Sequence, residues 1–233
     1  MKLIRSVIAT SMTMAVAGFT YAQDVTGTVS QMAVVGAKLY VGGQFEKADR
    51  RIVNNIAAFE GGAWSGLAKG VSGNVTCIAP SGNNVFVSGD FSYVNKVDAV
   101  GTNANKIAMW DGVKWNALGD KTVDRQVFAV VANGNTAYIG GNFQKVAGTI
   151  ATKGVAKWDG KQWSAVGNAQ FDRAILAMAT LGNDLYVGGI FTINGDEPMG
   201  RVAKWDGAKW TEMGNKGLDG TVTKMVSDGK NIY

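Results

Sequence analysis

The chain has 233 residues, of which 46% are hydrophobic, enough for one sizeable buried core. It carries 23 basic and 18 acidic residues, no Lys/Arg cluster interleaved with aromatics, and no histidine. A nucleic-acid groove and imidazole-based metal or acid–base chemistry are therefore not expected. Glycine is abundant, at 32 residues, without an every-third-residue period, and proline is scarce, at 2, which excludes collagen and fits tight turns between short strands.

Residues 1–22 read as a secretory signal. Lys2 and Arg5 form the basic end, Val7 to Phe19 the apolar run, and Thr20-Tyr21-Ala22 a small-residue cleavage site. Without that segment, 21 basic residues face 18 acidic ones, a mild net charge of +3. Export implies a secreted, periplasmic or cell-surface location. No later stretch is long and apolar enough to read as transmembrane.

From Gln23 onward one unit recurs. Its marker is an apolar strand closed by a glycine pair and a phenylalanine. The copies are Leu39-Tyr40-Val41-Gly42-Gly43-Gln44-Phe45, Val85-Phe86-Val87-Ser88-Gly89-Asp90-Phe91, Ala137-Tyr138-Ile139-Gly140-Gly141-Asn142-Phe143 and Leu185-Tyr186-Val187-Gly188-Gly189-Ile190-Phe191. The steps from Phe to Phe are 46, 52 and 48 residues, the period of a repeat architecture. The units run over about 26–70, 71–119, 120–167 and 168–214, with a partial fifth over 215–233, within one domain spanning 23–233.

Each unit opens with a strand that is apolar on both faces, starting at Val29, Val75, Val127, Ile175 and Val222. A short turn such as Gly82-Asn83-Asn84 leads into the glycine-closed strand. A variable segment follows, longest from Ser92 to Lys106, and then a hairpin such as Val155-Ala156-Lys157-Trp158-Asp159-Gly160-Lys161-Gln162-Trp163. Asp-Gly between strand-like runs signals a hairpin. Unit one departs from this, with Phe59-Glu60-Gly61-Gly62-Ala63-Trp64.

The hairpin tryptophans recur in register and read as structural rather than as glycan-stacking platforms. Asp111, Asp159 and Asp206 read as turn residues rather than catalytic carboxylates, and the single cysteine, Cys77, as a plain strand residue.

These motifs resemble the kelch-like β-propeller repeats. The likeness lies in the apolar strand ending in Gly-Gly and in the Ile-Ala-x-Trp-Asp-Gly-x-x-Trp hairpin, as found in secreted bacterial proteins and in a fungal cortical-marker protein. The resemblance covers nearly all of the chain after Gln23. It implies an all-β, kelch-like propeller of four four-stranded blades plus a partial fifth unit. Three outcomes for that fifth unit stand open: a truncated piece of a longer ring, a cap that closes a small ring, or an open array that pairs through its edges. The copper chemistry of some propellers of this class needs histidine ligands and does not carry over.

The functional expectation is a secreted or surface-displayed binding and scaffolding module, its contacts made by the variable loops. The contact surface expected is Tyr93, Asn95, Lys96, Asp98, Asn103, Asn105, Asp196 and Glu197. Its partner is expected to be a protein or glycan of the cell envelope or extracellular matrix, with self-association through open edges as a further expectation. No cofactor, metal ligand or catalytic residue is assigned, and Asp196-Glu197 lacks the calcium-loop pattern. The alternative is an extracellular glycan- or peptide-acting enzyme using the loop carboxylates Asp90, Asp98, Asp196 and Glu197.

Overall fold

The computed structural model describes residues 25–97, 100–119, 123–214 and 217–233. The expected signal segment 1–22 and the candidate Asp98 lie outside them. Among the described residues the fold is all-β, with no helix.

Four antiparallel sheets form one after another along the chain, each with strands paired in sequence order. The inner strands are Val25–Val35, Asn74–Ser81, Val127–Asn133 and Ile175–Leu181. The glycine strands Lys38–Ala48, Asn84–Asp90, Thr136–Gly141 and Asp184–Gly189 pair with them, and the two hairpin arms complete each sheet. Two-residue turns join inner and glycine strands, as at Gly82-Asn83 between the paired Ser81 and Asn84. Gly82 has φ +58°, which hairpin turns of this length require and glycine adopts without strain.

The two glycines of each pair have separate roles. A Cβ on the second would lie 2.0 Å from the Thr28 carbonyl oxygen at Gly43, 2.0 Å from that of Asn74 at Gly89, 2.1 Å from that of Gln126 at Gly141 and 2.2 Å from that of Ala174 at Gly189. The inner strand bulges there in every sheet, between Val29 and Gln31, Val75 and Cys77, Val127 and Ala129, and Ile175 and Ala177, and its backbone crosses the glycine. The first glycine instead receives the following sheet. A Cβ on Gly42 would meet Val75 at 2.4 Å and Ile78 at 3.0 Å, and one on Gly140 would meet Met178 at 2.6 Å and Ile175 at 2.7 Å. Ser88 takes this place in the second sheet and is fully buried.

The core follows from this seating. One hydrophobic cluster joins sheets one and two, a second joins two and three, and a third joins three and four. The fourth cluster, with Val41, Phe59 and Trp64, belongs to the first sheet alone. Among the described residues no hydrophobic cluster joins the fourth sheet to the first. The expected kelch-like propeller is therefore not formed: the sheets are an unclosed series. The physical reason is that each interface is built from one sheet's inner strand and the glycine seat of the sheet before it. That rule links neighbours in sequence and does not by itself bring the ends together.

The expected variable loops are also corrected. They form short two-stranded hairpins beside the main sheets: Tyr93–Val97 with Val100–Asn103, Lys145–Val146 with Ile150–Ala151, and Ile193–Asn194 with Glu197–Pro198. The Asp-Gly hairpins have four-residue loops rather than two-residue turns. Asp111 Oδ1 accepts the N–H groups of Val113 and Lys114 at 2.9 and 2.8 Å, and Asp159 and Asp206 do the same in their loops. The Gly61-Gly62 turn of unit one has two positive φ angles, +58° and +83°, and needs no such carboxylate.

Two predictions follow from these turns and seats. Gly141→Ala drives a Cβ into backbone and costs roughly 3 kcal/mol, the upper end of overpacking, whereas Gly140→Ala costs about 1–2 kcal/mol because the Met178 side chain can move; urea unfolding of both variants measures the difference, and equal costs contradict the assignment. The backbone N–H groups of the loops hold the Asp111, Asp159 and Asp206 carboxyls below their ordinary value. Their contribution to stability is present above the unfolded carboxylate value of about 4 and is lost as pH falls through the lower folded values. The urea midpoint therefore drops on acidification below about pH 4, and Asp159→Ala lowers the midpoint at neutral pH while reducing that acid dependence.

Candidate functional site

Each repeated hairpin carries one aromatic pair, Phe59 with Trp64, Trp110 with Trp115, Trp158 with Trp163 and Trp205 with Trp210, at ring centroid distances of 5.1, 5.5, 5.4 and 5.4 Å; all are buried except Trp205, which is half-buried. They sit directly opposite each other across the two arms. Such pairs add about 0.5–1.5 kcal/mol beyond their buried area.

The second tryptophan of each pair has a further task. Trp115 donates its indole N–H to the Leu67 carbonyl of the preceding unit at 2.8 Å. Trp163 donates to Leu118, and Trp210 to Val166 at 3.1 Å. Each acceptor lies three residues after the tryptophan of its own unit, so the same bond recurs at every step of the stack. Trp64 is the exception. It is 4% exposed, and its indole nitrogen has no hydrogen-bond partner among the described residues. It belongs to the first sheet, before which no described sheet supplies a carbonyl.

The last sheet shows the converse. Met213 stands three residues after Trp210, the acceptor's position, and is 37% exposed. The seat of that sheet, Gly188, is covered by Val222 and Met225, whose nearest atoms would lie 2.5 and 3.1 Å from a Cβ there. The partial fifth unit thus lays its first apolar pair on the fourth sheet as a complete sheet would. It then turns back through a single bridge between Ser227 and Ile232 and leaves Tyr233 69% exposed.

The sequence-predicted contact residues are dispersed, and two of them work inside the fold. Asn95 Oδ1 accepts the Lys69 N–H at 3.3 Å while its own N–H donates to the Gly70 carbonyl at 2.9 Å. Asn105 Nδ2 donates to the Val123 carbonyl at 3.4 Å. Both tie the second unit to its neighbours. Tyr93 and Asn103 pair across the side hairpin, Lys96 lies on its first strand, and Asp196 and Glu197 sit exposed at the turn of the fourth unit's hairpin.

The carboxylates do not converge. Asp90 is held by Lys106 at 3.2 Å in unit two, while Asp196 and Glu197 are in unit four. A surface hollow lined by Thr26, Gln44, Phe45, Glu46, Asn54 and Asn55 contains a single carboxylate. Among the described residues no three His, Cys, Asp or Glu side chains group to hold a metal, and no helix is long and apolar enough to cross a membrane. Burial pushes the Cys77 thiol up, which keeps it protonated and a poor nucleophile.

No protein-family model and no curated protein matches the chain. Among solved structures it is similar to the computationally designed Ika8 protein, with a TM-score of 0.56 and 17% identity over 88% of this chain and 54% of that one. A chain of the mitotic checkpoint complex gives a TM-score of 0.46 and 12% identity over 88% of this chain and 70% of that one. The chain spans about half the length of the designed protein. At 17% identity that likeness concerns the backbone arrangement alone. The expected kelch-like family membership is thus not supported. With it fall the expected secreted propeller module binding through its loops and the alternative enzyme with loop carboxylates: no ring forms, the loops fold as hairpins that brace the units, and the carboxylates lie two units apart.

The indole bonds give a prediction. Trp115→Phe removes one of the two donors to the Leu67 carbonyl, which keeps the Gly70 N–H at 3.0 Å, and costs about 0.5–1.5 kcal/mol beyond lost packing, whereas Trp64→Phe removes a donor that has no partner among the described residues and costs little or stabilises. Urea midpoints of the two variants in dilute solution decide it; a larger loss for Trp64→Phe contradicts the assignment.

Proposed function

We propose that this chain is a structural interaction unit that associates through the exposed apolar face of its first sheet. The observation that carries the reading is the exposure of Met32. In register it is the counterpart of Ile78, Val130 and Met178: each pairs with the hydrophobic residue just before the glycine pair or its Ser-Gly equivalent. Those three are 5%, 7% and 6% exposed beneath the preceding sheet, and Met32 is 47% exposed. Val34, on the same face, is 37% exposed.

An inner strand built for burial on both faces has one face left for a partner. Apolar sheet faces of this kind are normally covered in soluble proteins and mark interaction sites when they are not. The partner is one that presents a matching sheet face, and its burial of Met32 and Val34 supplies the driving force.

The reading predicts that the purified chain associates reversibly as concentration rises, with Met32→Lys weakening that association at least about tenfold, or 1.4 kcal/mol, and leaving the far-ultraviolet β-spectrum unchanged. Sedimentation velocity over a wide concentration range measures it. A chain that stays monomeric throughout, or a Met32→Lys variant that associates as well as the parent, contradicts it.

A further inference from the structure

Resting on the reading that the apolar face of the first sheet associates, we infer that Met32 is a modification site. A peroxide oxidises its thioether to the sulfoxide, and the sulfoxide switches that association off.

The inference comes from two methionines that share one register position under different cover. Met32 pairs with Val41 and Met178 with Val187, at the same place on the inner strands of the first and fourth sheets. Met178 is 6% exposed beneath the third sheet, and Met32 is 47% exposed. The buried copy also shows where a sulfur at this register goes. The Met178 Sδ would lie 2.6 Å from a Cβ on Gly140, so it fills the space that the missing side chain leaves. Met32 presents the same thioether with no described sheet over it. The other methionines among the described residues are better covered: Met199 is 4% exposed, Met109 and Met225 are half-buried, and Met213 is 37% exposed.

In the step itself a sulfur lone pair attacks one oxygen of the peroxide. The O–O bond breaks as the S–O bond forms, and hydrogen peroxide leaves as water. The sulfur loses two electrons and the peroxide gains them. A flexible apolar side chain becomes a polar, chiral one. On the first sheet this happens beside the exposed Val34, on a face whose association depends on apolar burial, and the added oxygen needs a hydrogen-bond partner there. A partner face that takes the sulfur as closely as Gly140 takes that of Met178 has no room for the oxygen. Modification and association therefore oppose each other: the sulfoxide weakens the contact, and the contact shields the sulfur.

Limiting hydrogen peroxide on the full chain tests this, with peptide mass spectrometry reading the site and sedimentation velocity the association. In dilute solution Met32 is expected to oxidise at least about tenfold faster than Met178. Its rate is expected to fall as the chain is concentrated into the range where it associates. The oxidised chain is expected to associate at least about tenfold more weakly than the parent. Treatment with the two stereospecific methionine sulfoxide reductases and a dithiol is expected to restore the parent behaviour. Met32→Leu removes the sulfur, and the association of that variant, whatever its strength, is expected to be the same before and after peroxide.

Met32 oxidising no faster than Met178 overturns the inference. So does a Met32 sulfoxide chain that associates as well as the parent, or a Met32→Leu chain that peroxide still dissociates. Each of these results leaves association through the first sheet intact. A parent chain that never associates defeats the underlying reading instead, and the order of oxidation still decides the site.

Discussion

Everything in this fold depends on how closely one sheet can approach another across a position with no side chain. A β-sheet normally keeps its neighbour at a distance set by interdigitated side chains. Here a glycine at the end of the second strand removes that obstacle, and the next unit's Val or Ile and its partner three residues on drop into the space. The adjoining glycine does something different: it lets the bulged inner strand pass its own neighbour within the sheet. The pair therefore links local strand geometry to the stacking of sheets. In the second unit the two roles are separated, because serine serves where the stack is entered and glycine remains where the backbone crosses.

The indole bonds reinforce the same contact from the periphery. Each sheet is pinned near its inner strand by apolar packing and at its outermost strand by one donor reaching back to the preceding unit. Stability in such a series is a sum of intrinsic and nearest-neighbour terms, so the interior units gain from two sides and the terminal units from one. The orphaned Trp64 nitrogen and the exposed Met32 are the first sheet's share of that imbalance. The same imbalance leaves the apolar face of the first sheet open to another sheet, which is the ground of the proposed association.

Much of this was legible in the chain. The repeat period, the strand order within a unit, the turn role of Asp111, Asp159 and Asp206 and the inert character of Cys77 follow from local chemistry that a sequence displays. The kelch-like ring was not borne out, because local motifs specify the contact between consecutive units and not the angle that accumulates over several. The side hairpins were missed because their strands are as short as Lys145–Val146, too brief for any alternation to show. Two residues of the expected loop surface, Asn95 and Asn105, read as loop amides in the sequence, and in the fold they bond backbone groups of neighbouring units. The recurring indole bond between consecutive sheets carried a readable signal. An apolar residue stands three positions after each second tryptophan, at Leu67, Leu118, Val166 and Met213, and the first tryptophan has no such predecessor among the described residues.

The measurement that tests the account most directly is the hydrogen-exchange behaviour of the seven indole N–H signals as the chain is concentrated. The indole protons of Trp115, Trp163 and Trp210 should be protected and shifted by their carbonyl partners at every concentration. That of Trp64 should lack the shift of a hydrogen-bonded proton in dilute solution and acquire it only as the chain associates. A Trp64 signal that already has this shift in the dilute monomer, or that stays unchanged while larger species form, would contradict the claim that the first sheet's unpaired donor is the end-face contact.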